Sequence, residues 1–266
     1  MSRNKKIITN SLVIVPTFNE EKFIKSVIED LHKYFENILI INDGSSDNTI
    51  DFAASTNKCK IINHPINTGQ GIALLTGVRY FLQNTSYEYL ITFDADGQHK
   101  AIDAFNMLNY AKDNNKKVVF GSRFISTNKN NIPKIRSIFL KFAILFERII
   151  FGFNLTDSHN GLRVFERSTS RFLLTIKSSK MAHATEIPFQ LKNNGVEIME
   201  YPCDISYTLE KSKIKPGKWY GLKENTYVSI DIYNLMGKRV KSLVNVNQGA
   251  GYRSVYWDAT NDLGQP

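Results

Sequence analysis

The sequence predicts an α/β protein with a Rossmann-like, mostly parallel sheet flanked by helices, followed by a short all-β appendage. Apolar strand-like runs alternate with helical patterns through most of the chain, and several of these runs end abruptly in polar residues. Such alternation is typical of parallel strands joined by right-handed crossovers. After about residue 219 the pattern changes to a period of two between turn sequences, which is typical of antiparallel strands.

The composition indicates a globular, cytoplasmic protein. The chain has 266 residues and is 42% hydrophobic, which is enough to bury a full core. It has no uncharged apolar run of about 18 residues and begins without a hydrophobic signal region, so neither a transmembrane anchor nor a secretory signal is expected. Cys59 and Cys203 lie in apolar contexts without metal-ligand spacing, and we expect both to be core thiols.

The net charge of +9 suggests an anionic partner. Nucleic acid, anionic lipid and phosphorylated small molecules are the candidates, and most of the excess positive charge lies before residue 219. The sequence contains neither an arginine-rich helix nor the aromatic-basic motif of a nucleic-acid reader, so nucleic acid is not expected as a partner. This leaves the phosphates of small molecules and of lipids.

The first two units each pair a strand with a helix. A strand at about 11–16 precedes a helix at about 20–35, in which apolar residues recur at helical spacing. The second strand, at 38–42, ends in a polar turn, and Ser46 or Asp47 is expected to cap the helix that follows.

The third unit begins with a short strand, Lys60–Asn63, and continues into a helix after a glycine-containing turn. Gly69 and Gly71 lie in this turn. Because glycine has no side chain, we expect them to allow a ligand to approach the backbone at the start of the helix.

The next strand, at about 89–93, delivers two carboxylates to the rim of the sheet. In an extended segment residues i and i+2 point to the same side, so Asp94 and Asp96 would face one site while Ala95 points away. Two close carboxylates repel each other, and a hard divalent cation neutralises them most readily. An isolated pair of this kind is more often a surface loop, but three successive strands that end in polar residues favour a metal site here.

A helix near 101–113 and a strand at Lys117–Arg123 complete the alternating pattern. Ligands of parallel sheets bind outside the carboxyl ends of the strands. The sequence places the following residues at those ends: Glu20, Asp43, Asp94, Asp96 and Arg123.

The segment after this strand is predicted to hold a helix at 133–153, a polar loop at 157–163, a helix that ends near Gly195 and a strand at 197–207. The 133–153 helix carries apolar residues interrupted by lysine and arginine. It is either a core helix or a helix that lies at a membrane interface with its basic groups near the headgroups.

Six segments, taken in order, resemble glycosyltransferase family 2, in the branch near dolichyl-phosphate and polyprenyl-phosphate sugar synthases. They are Pro16-Thr-Phe-Asn-Glu20, Asp43-Gly-Ser-Ser-Asp-Asn-Thr49, Asp94-Ala-Asp-Gly-Gln98, Gly121-Ser-Arg123, Asn160-Gly-Leu-Arg163 and Met181-Ala-His-Ala-Thr-Glu186. The resemblance spans about residues 10–215. It implies a GT-A fold, a nucleotide-diphosphate sugar donor, a Mg²⁺ or Mn²⁺ ion, a polyprenyl phosphate or glycan acceptor, and inversion at the anomeric carbon.

The resemblance also implies roles for residues that bind the donor. The implied nucleotide-binding residues are Pro16, Thr17, Glu20, Asp43, Gly44, Ser45, Gly69 and Asp94. Within this set Glu20 would face the ribose, Asp43 would read the base, and Asp94 would lie near the ribose and donor sugar. Asp96 would be the principal metal ligand, and Gln98 is a candidate second ligand.

The implied catalytic residues are Asp94, Asp96, Arg123, Arg163 and Glu186. Both arginines would face phosphates, for which the guanidinium fork is well suited. Glu186 is the candidate base if the acceptor is a hydroxyl, and a structural carboxylate at a helix start is the alternative. His99 and His159 are either participants or supporting residues.

Two other classes of protein compete with a transferase. A non-catalytic nucleotide-sugar-binding remnant would keep the motifs but would have lost its acceptor site. A dinucleotide-dependent oxidoreductase is a weaker rival, because no G-x-G-x-x-G follows the first strand.

We predict a catalytic domain over residues 1–218 and a β-rich tail over 219–266. The tail is similar to the immunoglobulin-like module of flagellar hook-capping proteins, with strands at about 225–237, 240–246 and 252–257. It stops where the last strand of that module is expected, which would leave an unpaired edge. The basic catalytic part is expected to bind peripherally to the inner face of the membrane.

Overall fold

The computed structural model describes residues 7–125, 155–178, 182–205, 218–222, 225–233, 239–249 and 251–255. The chain divides into two compact units, Met1–Ser206 and Tyr207–Pro266. The predicted domain division near residue 218 falls inside the second unit and stays a prediction. The predicted helix at 133–153 lies outside the described residues.

The first unit begins with three strand–helix repeats. These are β1 (Ser11–Thr17), α1 (Ile24–Leu31), β2 (Ile38–Asn42), α2 (Thr49–Ser55), β3 (Lys60–Asn63) and α3 (Gln70–Asn84). The described chain continues with β4 (Tyr89–Thr92), α4 (Ala101–Asp113), β5 (Val118–Ser122), β6 (Arg163–Glu166), α5 (Arg167–Ser170), a 3₁₀ helix (Arg171–Thr175), α6 (His183–Asn193) and β7 (Met199–Pro202).

The described strands of the first unit form one sheet in the order β3-β2-β1-β4-β6-β5-β7. Strands β1, β2, β3 and β4 are parallel, and β5 is parallel to β7, whereas β6 is antiparallel to both of its neighbours. Every residue of β2, β4 and β5 is buried. Such strands require cover on both faces, and a hydrophobic cluster packs on each side of the sheet. The predicted α/β fold with a mostly parallel sheet is confirmed.

One prediction is wrong at strand β6. The sequence pattern predicted that residue 163 is the last residue of a polar loop. Arg163 instead begins the strand and pairs with Thr92 of β4 and Phe120 of β5. The strand contains only two apolar residues in sequence, so its own pattern is too short to signal a strand. Its conformation is fixed by hydrogen bonding to a neighbour on each side.

Three local expectations are also decided by the structure. The N-cap residue of α2 is Asn48, so the prediction that Ser46 or Asp47 caps this helix is wrong, although Asp47 Oδ1 accepts the backbone N–H of Thr49 at 3.0 Å. Helix α1 is shorter than the predicted 20–35, because turns flank it at both ends. Cys203 is buried and Cys59 is half-buried against the core, and both are free thiols.

The second unit is all-β in its described residues, which confirms the predicted appendage. Strands β9 (Thr226–Tyr233) and β10 (Arg239–Gln248) form one antiparallel pair. Strands β8 (Lys218–Leu222) and β11 (Gly251–Val255) form another, and β8 was not predicted. Among the residues described in either unit, no helix is long and apolar enough to cross a membrane.

Candidate active site

A cleft of about 610 Å³ opens at the carboxyl ends of β1, β2 and β4. Parallel strands bring their carboxyl ends to one edge of a sheet, and this is where ligands of such sheets bind. The cleft is lined by Pro16, Thr17, Phe18, Glu20, Asp43, Asn67, Gly69, Gln70, Ala73, Asp94, Ala95 and Asp96. Seven residues that the sequence assigned to the site are therefore brought together: Pro16, Thr17, Glu20, Asp43, Gly69, Asp94 and Asp96.

Asp43 follows β2 and holds the loop that precedes α3. Its Oδ1 accepts the Thr68 N–H at 2.9 Å and the Thr68 hydroxyl at 2.6 Å, and its Oδ2 accepts the Gly69 N–H at 2.7 Å. His64 Nδ1 lies 2.9 Å from the same Oδ1. Burial alone would raise the pKa of the Asp43 carboxyl, but these hydrogen bonds hold the pKa below its ordinary value. Asp43 is therefore a carboxylate that shapes one wall of the cleft.

Gly44 and Ser45 shape the turn after β2 and are not among the described residues that line the cleft. Gly44 has a φ of 72°, and a Cβ there would lie 2.6 Å from the backbone carbon of Ile66. Ser45 donates its N–H to Asn42 Oδ1, and its hydroxyl oxygen accepts the N–H of Asn19. Both residues join neighbouring loops, and their predicted contact with the nucleotide stays a prediction.

Asp94 is held from several sides at the end of β4. His99 Nε2 lies 3.3 Å from its Oδ2, and Gln70 Nε2 lies 3.4 Å from its Oδ1. Burial alone would raise the pKa of the Asp94 carboxyl, but the His99 hydrogen bond and the charges of His99, Arg163 and His183 hold the pKa below its ordinary value. Asp94 is therefore an anion in a cationic pocket.

Gly161 packs directly on this carboxylate. A Cβ at Gly161 would lie 2.1 Å from Asp94 Oδ2 and 2.4 Å from Oδ1, which no real side chain tolerates. The Gly161 carbonyl also accepts a hydrogen bond from the Thr92 hydroxyl at 2.7 Å, next to the pairing of β4 with β6. Strand β6 thus brings a glycine against Asp94.

Asp96 lines the same cleft as Asp94. The extended alternation that the sequence predicted is wrong, because β4 ends at Thr92, residues 95–96 form a turn, and Ala95 lines the cleft as well. Its Oδ1 accepts the Gln98 N–H at 2.8 Å, so the turn orients this carboxylate. Among the described residues, no three His, Cys, Asp or Glu side chains lie close enough together to hold a metal ion. Mg²⁺ commonly binds through one or two carboxylates plus substrate phosphates, and the two aspartates fit such a cation. Gln98 is not among the described lining residues, so its predicted ligand role stays a prediction.

Arg123 is committed to a buried ion pair with Asp157. Its Nε and Nη2 each lie 2.6 Å from one carboxylate oxygen of Asp157, and its backbone N–H donates to the same carboxylate at 3.0 Å. Both side chains are buried. This two-point geometry uses the face of the guanidinium that would grip a phosphate. It favours a structural role, and the predicted contact with phosphate stays a prediction.

Arg163 is 2% exposed and also bonds to protein acceptors. Its guanidinium donates to the backbone carbonyls of Asn160, Ser158 and Ala184 at 2.7 to 3.2 Å. It nevertheless lines a small cavity next to the cleft, together with Asp94, His159 and His183. Arg163 therefore contributes positive charge beside Asp94 and anchors the start of α6.

Glu186 supports a loop in this structure. Its two carboxylate oxygens accept the backbone N–H groups of Lys177 at 2.9 Å and Ser178 at 3.0 Å. Burial would raise the pKa of Glu186, but these hydrogen bonds hold it below its ordinary value. A lowered pKa makes a weaker base, so the geometry favours the structural alternative for this residue.

Other polar residues behind the cleft were not assigned by the sequence. Asn160 donates to Cys203 Sγ at 3.2 Å, and burial raises the pKa of the Cys203 thiol to about 12, so this thiol stays neutral. His64 and Thr68 hold Asp43, and Gly161 packs on Asp94. Gly161 lies within a recognised motif, but no sequence signal places it or the other two against those aspartates.

Comparisons with known proteins show the family of the chain. The model of the family described as glycosyl transferase family 2 matches residues 12–173. A UDP-N-acetylglucosamine–dolichyl-phosphate N-acetylglucosaminyltransferase of Methanococcus voltae is 31% identical over 218 residues, covering 74% of this chain and 85% of that protein. An undecaprenyl-phosphate mannosyltransferase of Micrococcus luteus is 28% identical over 216 residues, covering 77% of this chain and 88% of that protein.

Solved structures show a similar fold. Glucosyl-3-phosphoglycerate synthase from Mycobacterium tuberculosis, in complex with Mn²⁺ and uridine-diphosphate-glucose, superposes with a TM-score of 0.56 at 16% identity. The match covers 76% of this chain and 73% of that chain. The GT-A fold implied by the motifs is confirmed. The chain is a glycosyltransferase, and it belongs to glycosyl transferase family 2.

Proposed function

We propose that this protein transfers a sugar from a nucleotide-diphosphate sugar to a polyprenyl phosphate or glycan acceptor, with inversion, and that it requires Mg²⁺ or Mn²⁺. The observation that carries this proposal is the pair Asp94 and Asp96 at the end of β4. Both line the same cleft as Asp43 and Gly69, which follow β2 and precede α3.

The comparisons support the donor and acceptor classes. Two relatives are named for transfer to dolichyl phosphate and undecaprenyl phosphate, and one of them for a UDP-linked sugar. A structural neighbour contains Mn²⁺ and a nucleotide-diphosphate sugar.

The two ends of the cleft would bind different parts of the donor. Asp96, with Asp94 beside it, would hold the cation and so locate the diphosphate. A bound divalent cation supplies positive charge that stabilises the departing nucleoside diphosphate. Asp43 and the Asn67–Gly69 loop lie at the other end of the cleft and would contact the nucleoside. Inversion follows if the acceptor attacks the anomeric carbon in one displacement.

The position of Glu186 favours a lipid phosphate over a sugar hydroxyl as acceptor. A hydroxyl must lose a proton as it attacks, whereas a phosphate monoester with a second pKa of about 6 is already a nucleophile. Both Glu186 oxygens accept backbone N–H groups, and Glu186 is not among the described residues that line the cleft.

The test is release of nucleoside diphosphate from nucleotide sugars in the presence of polyprenyl phosphate. We expect turnover that EDTA abolishes and added Mn²⁺ or Mg²⁺ restores, and Asp96→Asn to lower kcat/KM by about 100-fold or more. Undiminished turnover in EDTA would show that the reaction does not require a metal ion. Tight nucleotide binding without turnover on any lipid or glycan acceptor would favour the non-catalytic remnant.

Membrane binding and the nature of the tail belong to the same proposal. We expect salt-sensitive binding to anionic vesicles, because Lys and Arg are attracted to anionic headgroups and this attraction weakens with ionic strength. Protein that stays in the supernatant at low salt would contradict it. The antiparallel pairing of β8–β11 and β9–β10 is compatible with the immunoglobulin-like likeness of the tail.

A further inference from the structure

We propose that the donor nucleotide is uridine diphosphate, and that His64 and Thr68 set this preference by filling one oxygen of Asp43. The inference rests on the proposed function, since it assumes that a nucleotide-diphosphate sugar occupies the cleft. It goes further by naming the nucleobase and the residues that select it.

His64 lies immediately after β3 and is held through its backbone and its ring. Its backbone N–H donates to the Asn42 carbonyl at 2.8 Å. Its Nδ1 is 2.9 Å from Asp43 Oδ1 and 3.0 Å from Thr68 Oγ1, and its Nε2 is 2.9 Å from Thr76 Oγ1. An ionised carboxylate only accepts hydrogen bonds, so Nδ1 carries a proton, which faces both Asp43 and the Thr68 hydroxyl oxygen. Thr76 fixes the other side of the ring. The orientation of His64 toward Asp43 is therefore set by β3 and α3.

Most of the acceptor positions of the Asp43 carboxylate already face donors within the protein. Oδ1 faces three donors, namely the His64 Nδ1–H, the Thr68 hydroxyl at 2.6 Å and the Thr68 N–H at 2.9 Å. Each carboxylate oxygen has about two lone-pair positions, so Oδ1 has none left for a ligand. Oδ2 accepts the Gly69 N–H at 2.7 Å. One acceptor position remains, and it lies on Oδ2.

The nucleobase belongs at this end of the cleft because the diphosphate belongs at the other. Asp96 follows β4, and β1 separates β4 from β2, where Asp43 lies. Neighbouring strands are about 4.8 Å apart, so the two ends of the cleft are separated by about 10 Å. Phe18 also lines the cleft and is 44% exposed, which offers a ring face to a base.

A single acceptor position discriminates among the bases. Uracil presents one ring N–H, at N3, and one lone pair satisfies it. Guanine presents N1–H beside its 2-amino group, and these two donors call for both oxygens of a carboxylate. Adenine and cytosine place a ring-nitrogen lone pair at this edge, which a carboxylate repels. With Oδ1 filled, guanine would leave a donor unpaired, and a site that leaves polar groups unpaired rejects that ligand strongly.

The test is isothermal titration calorimetry of the full chain with UDP, GDP, CDP and ADP in the presence of Mg²⁺. We expect UDP to bind at least about tenfold more tightly than GDP, with CDP and ADP weaker than UDP. Thr68→Val removes the hydroxyl donor at almost constant volume, and His64→Ala removes the imidazole. Three donors face the two lone-pair positions of Oδ1, so the double variant, which leaves only the Thr68 N–H there, opens one position. It should lower the ratio of the GDP to the UDP dissociation constant by several-fold.

His32→Ala is the matched control, because this histidine follows α1 and lines a different cavity. It should leave the ratio unchanged. GDP binding as tight as UDP binding in the wild type would overturn the uridine assignment. An unchanged ratio in the double variant Thr68→Val and His64→Ala, with the wild-type circular dichroism spectrum, would overturn the role of the Asp43 contacts. If no nucleotide binds to the wild type at all, the proposed function fails as well.

Discussion

Asp94 shows how a single side chain is positioned by residues distant in sequence. His99 bonds to one carboxylate oxygen, Gln70 to the other, and Gly161 leaves the space that the carboxylate occupies. We infer that the role of Gly161 is to let the backbone lie close to the Asp94 carboxylate.

Gly161→Ala should therefore impair function more than stability. The new Cβ would lie within 2.4 Å of both Asp94 oxygens, so the carboxylate must rotate away. We expect kcat/KM for sugar transfer to fall by about 100-fold, the scale of a lost catalytic contact. Steady-state kinetics and thermal unfolding measure the two effects.

Gly195→Ala is the control for this prediction. Gly195 has a φ of 69°, and no described atom lies within 4 Å of the place where an alanine Cβ would be. Alanine there should cost about 1 kcal/mol of backbone strain and no activity. Wild-type kinetics in Gly161→Ala would show that the Asp94 geometry is not required.

The sequence predicted residue types better than residue roles. Asp94, Asp96 and Asp43 were placed correctly because a strand that ends in a carboxylate must present it at the sheet edge. Arg123 and Glu186 were assigned through the motifs that resemble the family, and their partners in the structure decide what their charges do. Nothing in the sequence shows that Asp157 occupies Arg123 or that two loop N–H groups occupy Glu186.

At the scale of elements, Arg167 joins α5 to the end of α3. Its guanidinium donates to the carbonyls of Phe81, Tyr87, Leu82 and Thr85, and lies 4.8 Å from the centre of the Phe81 ring. The last carbonyls of a helix have no partner within the helix, so one arginine satisfies several of them.

Arg167→Met should lower the free energy of unfolding by about 2–3 kcal/mol, because the carbonyls of Leu82, Thr85 and Tyr87 lose this donor. The Phe81 carbonyl keeps the Thr85 hydroxyl at 2.7 Å. Nucleotide affinity should stay at the wild-type level, since Arg167 lies outside the residues that line the cleft. Urea unfolding and calorimetry measure the two quantities. Arg79→Met, on the exposed face of α3, is the control and should change neither. Equal stability of both variants would refute the role of Arg167.

Elements were predictable where their own pattern was long enough. Strands β1, β2, β4 and β5 and helices α3 and α4 each carry a sustained apolar run or helical period, whereas β3 has only two apolar residues. Strand β6 has four residues, and it is a strand because β4 and β5 pair with it. Its antiparallel direction, which brings Gly161 to Asp94, depends on a tertiary arrangement that no local pattern encodes.

At the scale of the whole molecule, every residue of the proposed site precedes residue 190, and the second unit begins at Tyr207. A chain that ends at Lys218 should therefore keep nucleotide binding and metal dependence. Calorimetry with UDP and circular dichroism of the truncated and full chains test this. Loss of UDP binding in a truncated protein that is still folded would show that the tail is part of the site.

We propose that Asp96 would hold a divalent cation together with the diphosphate of the donor. In the described part of the chain, no three His, Cys, Asp or Glu side chains lie close enough together to hold a metal ion. The cation should therefore bind tightly only when the nucleotide is also bound. Electron paramagnetic resonance of free Mn²⁺ measures this directly. We predict that the protein depletes free Mn²⁺ when UDP is present, much less without UDP, and not measurably beyond UDP alone in Asp96→Asn. Equal depletion by wild type and Asp96→Asn in the presence of UDP would contradict the account.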